Sequence, residues 1–345
     1  MLYKITRFLL FLLPAERAHY FSVFFIKTAL RIPLFNRLFI APKDDSRLQV
    51  VLWGLTFKNP IGLAAGFDKN ASCFEAMGKL GFGFVEIGTV TPMPQQGNPK
   101  PRLFRLKSDS AIINRMGFNN DGSLDVVERL KNRKEGGNLI VGGNIGKNKW
   151  TPNEKAEQDY LIVFAELYPY VDYFAVNVSS PNTENLRELQ DKEPLKRLLS
   201  SIQALNVRLG NPKPIALKIA PDLNNAQLDD IIAIALALNL DGIIATNTTT
   251  SRDGLTTNPK KLAKMGNGGV SGKPLSQRST EVIRYLNQGL KGKIPIIGVG
   301  GIHTAKDALE KLEAGATLVQ LYTGFIYEGP RLLKQIKQAL THHVN

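Results

Sequence analysis

Apolar runs alternate with amphipathic stretches along most of this chain. Eight short runs, at 60–65, 83–88, 139–145, 171–177, 214–219, 241–246, 295–299 and 317–321, are rich in β-branched, aromatic and small apolar side chains. Near-continuous apolar character over so short a length suits a parallel strand covered on both faces. Between them, Ser123–Lys134, Glu154–Leu167, Pro194–Arg208, Asn225–Leu238, Ser279–Asn287 and Ala305–Ala314 place apolar residues at helical spacing. Strand alternating with helix predicts an α/β protein with a parallel sheet, and eight repeats predict a (β/α)8 TIM barrel over residues 41–345. A doubly wound open sheet is the alternative. It would place Gly-x-Gly-x-x-Gly after its first strand, a spacing that Gly62-Leu-Ala-Ala-Gly-Phe-Asp-Lys69 lacks. Leu48–Leu52 and Leu55–Phe57, on either side of Trp53-Gly54, predict a short hairpin ahead of the barrel.

Residues 1–40 have a different pattern and form a helical extension. Phe8–Ala15 is too short an apolar run to cross a bilayer, which takes about 20 helical residues. After Pro14, the segment Ala18–Leu30 returns Tyr20, Phe21, Phe24 and Phe25 to one side of a helix, with Lys27 and Arg31 on a narrow polar arc. Pro33 ends it, and Leu34-Phe35 with Leu38-Phe39-Ile40 adds a further apolar patch. This stretch holds six basic residues against one acidic and nine of the chain's 28 aromatics. The pattern predicts a helical hairpin lying in the interfacial plane of an anionic phospholipid surface, without a secretory cleavage site. Packing on the main domain or at an oligomer interface is the competing reading. Pro42–Arg47 reads as a linker.

The apolar runs end in polar groups: Asn144, Asn177, Lys218, Thr246-Asn-Thr248 and Gly300-Gly301. The carboxyl ends of barrel strands form the active site, so one site assembled from many strand ends is expected. The most informative ending is Asn177-Val-Ser-Ser-Pro-Asn-Thr183, where a proline holds amides and hydroxyls just past a buried strand. Glycines cluster late, in Gly268–Gly272, Gly298–Gly301 and Leu321-Tyr-Thr-Gly324, and predict a phosphate cradle, although each doublet alone also suits a tight turn. Lys69 and Lys218 follow nearly pure apolar runs, so their ammonium groups are expected to point inward rather than to a solvated rim. Asn114, Asn119, Asn144, Asn177, Asn182 and Asn247 each pair a donor with an acceptor, which suits a planar ligand of alternating carbonyl and N–H groups. Each could otherwise cap a turn.

Composition removes alternatives. The single Cys73 and four histidines leave poor material for a disulfide or metal centre. The net charge of +14 admits nucleic acid, membrane or an anionic ligand, but no RGG run, zinc-finger spacing or basic heptad helix supports the first. Gly-x-Ser-x-Gly, His-Glu-x-x-His and the P-loop spacing are absent. A serine such as Ser180 is a feeble base at neutral pH, unless hydride departure makes the proton it removes more acidic. A colourless phosphate-binding isomerase or lyase remains the alternative enzyme class, and a membrane adaptor a more distant one.

Taken together, Gly62–Asn70, Glu86–Pro92, Lys100–Leu106, Asn114–Asn120, Asn144–Asn148, Asn177–Thr183, Ala245–Thr249 and Ile297–Ile302 resemble the dihydroorotate dehydrogenases, specifically the membrane-associated, quinone-reducing class. Pro14–His19 extends the resemblance almost to the amino terminus. It implies FMN at the barrel mouth and oxidation of (S)-dihydroorotate to orotate, with a membrane quinone as acceptor. Ser180 matches the catalytic base and Thr183 a hydroxyl that carries its proton outward. Soluble members use cysteine at the serine position and lack the helical extension. Lys69, Asn114, Arg115, Met116, Gly117, Phe118, Asn119, Asn177, Asn182, Asn247 and Thr248 correspond to the orotate surroundings. Ala65, Gly66, Thr89, Asn144, Asn177, Lys218, Thr246, Gly272, Gly301, Tyr322 and Thr323 correspond to flavin contacts. His19, Arg105 and Tyr322 match the polar end of a quinone tunnel walled by residues 1–40. The resemblance also implies a peripheral protein on the cytoplasmic face of the cell membrane, expected as a monomer without an obligate protein partner.

Overall fold

The computed structural model describes residues 2–30, 32, 40, 41, 43–133 and 139–343. Arg31, Pro33–Phe39, Pro42 and the end of the helix expected to reach Lys134 lie outside the described residues.

All eight apolar runs form strands of one closed parallel barrel. The hairpin is β1 (Val50–Leu52) and β2 (Leu55–Phe57). The barrel strands are β3 (Ile61–Leu63), β4 (Phe84–Val90), β7 (Ile140–Ile145), β8 (Tyr173–Asn177), β9 (Ile215–Ile219), β10 (Gly242–Ala245), β12 (Ile296–Val299) and β13 (Leu318–Leu321). The six expected amphipathic helices are present, and differ from the pattern only near their ends: Ser123–Leu130, Ala156–Leu167, Lys192–Arg208, Asn225–Ala237, Ser276–Leu290 and Ala305–Glu313. Two of them start on capping boxes, at Asn224 and Thr304, which satisfy first-turn N–H groups.

Every barrel strand is fully buried, which is why the runs lack alternation. Inside the barrel Phe57, Phe84, Ile140, Tyr173, Ile244 and Ile297 form one apolar layer, closed at the amino-terminal end by the hairpin and Trp53. Glycines make room for its rings. A Cβ at Gly62 would lie 2.3 Å from the Phe84 ring, and one at Gly142 2.2 Å from that of Tyr173. A larger cluster packs the outer strand faces against the helices.

One element is absent from the pattern. The strands β5 (Leu103–Leu106), β6 (Ala111–Asn114) and β11 (Gly269–Gly272) form an antiparallel sheet. The segment Gly269–Gly272, read from the sequence as part of a phosphate cradle or as a tight turn, is thus a strand, paired along its length with Ala111–Asn114. Glycine has low strand propensity, so only tertiary pairing reveals it.

The extension forms helices α1 (Leu2–Leu10) and α2 (Ala15–Ala29). Both touch the body through specific groups. The Tyr3 hydroxyl donates to the Ile326 carbonyl at 2.8 Å, Arg7 to that of Tyr327 at 2.6 Å, and Arg102 pairs with Glu16 at 2.7 Å. Phe8, Leu12 and Phe24 remain two-thirds exposed, and Tyr20, Phe21 and Phe25 are exposed beside them (66%, 68% and 69% for the first three). None of the helices among the described residues is long and apolar enough to cross a membrane.

Candidate functional site

A cavity open to solvent at one side lies at the carboxyl ends of the barrel strands. Register accounts for part of its polar lining: Asn177 at the end of β8 pairs with Lys218 near the end of β9, so the two side chains stand together at the rim. Of the residues singled out above, Ala65, Gly66, Lys69, Thr89, Asn114, Met116, Gly117, Phe118, Asn177, Ser180, Asn182, Lys218, Thr246, Asn247, Thr248, Gly272, Gly301, Tyr322 and Thr323 line it.

The asparagines are joined to one another. Asn177 Nδ2 donates to Thr89 Oγ1 at 2.9 Å and to Asn144 Oδ1 at 3.1 Å, while its Oδ1 accepts from Ser179 Oγ at 3.0 Å. Asn247 Nδ2 donates to Ser179 Oγ at 2.9 Å, and Asn182 Nδ2 to Asn114 Oδ1 at 2.9 Å. Asn144 itself sits behind this wall, donating to Glu86 at 2.8 Å. A network so fully bonded holds its members in single rotamers.

Ser180 is buried, and its Oγ accepts from the Asn182 N–H at 3.2 Å. That bond uses an oxygen lone pair and leaves the hydroxyl proton free to donate. Among the described residues no titratable side chain hydrogen-bonds to it. Thr183 Oγ1, Thr248 Oγ1 and Asn119 Oδ1 are buried without a partner. In the cavity wall Lys69 donates to the Gly66 carbonyl at 2.6 Å, and burial together with the nearby Arg102 guanidinium lowers its pKa to about 8.

At the other end glycine backbones come close. Gly301 has φ +74°, and a Cβ there would sit 2.3 Å from Ser276 Cα. The Ser271 and Thr323 hydroxyls meet at 2.8 Å beside it. Such a concave wall of backbone and hydroxyls can hold a phosphate.

Six of the expected residues are not part of this lining: Asn144, Asn119 and Thr183, described above, and Arg115, Arg105 and His19. The Arg115 side chain turns away from the cavity to donate to the Pro101 carbonyl, drawn by that acceptor and by the Phe104 ring 5.8 Å away. Arg105 donates to the Leu10 carbonyl at 3.1 Å and lies over the Phe11 ring at 4.5 Å, so it caps α1. His19 lies behind the wall, with rings in sequence: His19 to Phe67 at 4.9 Å, and Phe67 to Tyr322 at 6.0 Å. Burial, and then the Lys69 charge, lower the His19 pKa to about 4, keeping it neutral. Burial likewise raises that of Tyr322 to about 12.

Sequence reasoning passed over Ser271, Arg102, Gln320 and, as a site residue, Glu86. The signal for two of them was present: Glu86 is the one charged residue in a mostly apolar β4, and Gln320 the one polar residue in β13. Among the described residues no group of three or more His, Cys, Asp or Glu side chains could hold a metal.

Comparison with known proteins agrees with this geometry. Residues 47–344 match the family model for dihydroorotate dehydrogenase. The chain is 59% identical over 334 residues to dihydroorotate dehydrogenase (quinone) of Christiangramia forsetii, covering 96% of each chain. It is 51% identical to the protein of that name from Shewanella loihica, covering 98% of each. The crystal structure of DHODH in complex with ferulenol from Eimeria tenella superposes with a TM-score of 0.86 at 39% identity, over 95% of this chain and 91% of that one.

Proposed function

The chain belongs to the dihydroorotate dehydrogenase family, and from that premise we propose how its residues divide the work. It is a quinone-dependent dihydroorotate dehydrogenase of pyrimidine biosynthesis, an oxidoreductase that converts dihydroorotate to orotate. The observation that carries the assignment of roles is Ser180, buried in the cavity wall with a free hydroxyl proton and asparagines on both sides.

Ser180 Oγ takes the proton from C5 of dihydroorotate, and the unpartnered Thr183 hydroxyl passes it outward. A serine suffices because the C5–H becomes acidic as hydride leaves C6. Asn114, Asn177, Asn182 and Asn247 present amide groups to the ring, with Gly117, Phe118, Met116 and Thr248 around it. Lys69 supplies the charge for the substrate carboxylate. Arg115 and Asn119 contribute through the backbone of the same loop, which Asn98 holds by donating to the Arg115 carbonyl at 3.0 Å.

FMN, when bound, supplies the two-electron acceptor between dihydroorotate and quinone. The residues present fit it. Ala65, Gly66, Thr89, Asn177, Lys218, Thr246 and Tyr322 would surround the ring system, with Asn144 supporting them from behind. Gly272, Gly301 and Thr323 would hold the phosphate against backbone that no side chain obstructs. Lys218 places a cation where a pyrimidine edge gains negative charge on reduction. His19 of the extension, with Tyr322 and Arg105, would form the polar end of a quinone path whose greasy walls come from residues 1–40, which serve as the quinone entry. The extension rests on the anionic, cytoplasmic face of the cell membrane as a peripheral anchor, the barrel over 41–345 carries the chemistry, and the protein acts as a monomer.

The test is an absorption spectrum of the purified protein, followed by dihydroorotate without oxygen. A yellow protein that bleaches stoichiometrically is expected. A colourless protein, or a flavin unmoved by dihydroorotate, would overturn the reading.

A further inference from the structure

Glu86 is a carboxylate with no exposed surface, inside a barrel whose other interior residues on β4 are apolar or small. Its Oε1 accepts from Lys218 Nζ at 2.9 Å and from Asn144 Nδ2 at 2.8 Å. Its Oε2 accepts from Gln320 Nε2 at 2.6 Å and from the Tyr173 hydroxyl at 3.4 Å. The donors come from β7, β8, β9 and β13, so with β4 the carboxylate ties together five of the eight barrel strands. Burial, and then the Glu86 charge, push the Tyr173 hydroxyl well up, which keeps it a donor. Fold stability does not explain this arrangement, because replacing a buried ionic cluster by packed apolar groups is often neutral or stabilising.

Two of the donors, Lys218 and Gln320, line the cavity. A carboxylate only accepts hydrogen bonds, so it fixes the Gln320 amide with Nε2 toward Glu86. The other end of that amide, Oε1, is buried and has no partner. A cation and a bare acceptor therefore stand at the cavity floor, both held by one anion. The pyrimidine edge of a flavin offers the complement: carbonyl, imide N–H, carbonyl.

We propose that Glu86 is a positioning residue for the flavin, orienting Gln320 so that Oε1 accepts from the ring imide N–H while it holds Lys218 against the adjacent carbonyl. The same anion offsets the lysine charge, and so limits how far the site favours the reduced ring. This inference rests on the flavin reading above. Removing the charge without changing the shape should release the full field of Lys218 onto the ring.

The experiment uses the full-length holoenzyme and two measurements besides turnover. The first is the flavin midpoint potential of wild type and Glu86→Gln. It should rise by about 30 mV or more, a tenfold shift in the two-electron equilibrium. The second compares affinity for FMN and for FMN methylated at the imide nitrogen, in apoprotein of wild type and Gln320→Met. Methylation should weaken wild-type binding at least about tenfold, as loss of a buried hydrogen bond does, and should matter much less in the variant. An unchanged or lower potential in Glu86→Gln overturns the charge assignment. Equal losses on methylation in both proteins overturn the Gln320 contact, and this arm decides the matter if Glu86→Gln does not fold. Wild-type protein that takes up no FMN at all overturns the flavin reading itself and this inference with it, a result distinct from either of the others.

Discussion

Glu16, in the first turn of α2, forms a 2.7 Å ion pair with Arg102, a residue 86 positions later whose side chain is almost wholly enclosed. Arg102 also donates to the Asn98 carbonyl at 3.0 Å, and Asn98 in turn donates to the Asn182 carbonyl at 3.2 Å. The exposed helix is thereby joined through two residues to the loop that bears Ser180.

Deleting residues 1–40 should leave a barrel that still holds FMN and is reduced by dihydroorotate, since the cavity lining begins at Ala64. Turnover with a long-chain quinone should collapse, while turnover with a soluble dichlorophenol dye persists at a reduced rate because Arg102 has lost its partner. The full-length protein should bind anionic vesicles better than neutral ones, with about 1 kcal/mol for each basic residue near the surface. Salt should weaken this preference and leave the contribution of the exposed Phe and Leu side chains. Unchanged quinone kinetics in the truncated protein would show that the helices serve packing alone.

Ser180→Ala should retain FMN and slow flavin reduction by about 10²–10⁴-fold, the usual loss when a general base is removed. Rapid mixing without oxygen measures it directly. Ser180→Cys should keep part of the activity, shifted to higher pH, because a thiol must lose its proton before it can act. Bleaching of Ser180→Ala at the wild-type rate would remove the serine from the mechanism.

Lys218→Ala leaves Glu86 buried without its cation, and breaking a buried pair in this way costs about 3–5 kcal/mol. Denaturant unfolding should register that loss, together with weaker FMN retention and slower reduction. Adding Glu86→Gln to Lys218→Ala should recover much of the stability but not the reduction rate. A single variant with full flavin content, wild-type rate and unchanged unfolding midpoint would contradict the role given to the pair.

Lys69 titrates near 8 because burial and the Arg102 guanidinium disfavour its charge. Only the protonated form attracts the substrate carboxylate. Dihydroorotate kcat/KM, which reports the free enzyme, should therefore fall as pH rises through about 8, where an exposed lysine at about 10.4 would still be charged. Lys69→Ala should raise KM more than it lowers kcat and should flatten that limb. A limb that survives unchanged in the variant would assign the ionisation to another group.

The barrel was legible in the sequence because burial on both faces leaves strands nearly continuous in apolar residues, and their polar endings mark the rim. Asn177 and Lys218 could be read in this way. The sheet formed by β5, β6 and β11 could not, since Gly269–Gly272 has the composition of a turn and becomes a strand only against Ala111–Asn114. Arg102 was hidden for a related reason: nothing near it in the chain predicts a partner in α2. Arg105 was placed by family likeness, and the carbonyls exposed at the end of α1 account for where its side chain goes.

The cavity draws its walls from Ala64 near the first barrel strand to Gly324 just past the last, and Leu63 pairs directly with Leu321 to close the ring. During synthesis the strands emerge in order, so the seam between first and last closes only when nearly the entire chain has left the ribosome. A nascent chain has no place to load the flavin proposed above before then. Flavin colour would consequently be a certificate of completed synthesis, and a chain interrupted before Thr323 is expected to be inert from the outset rather than partly active.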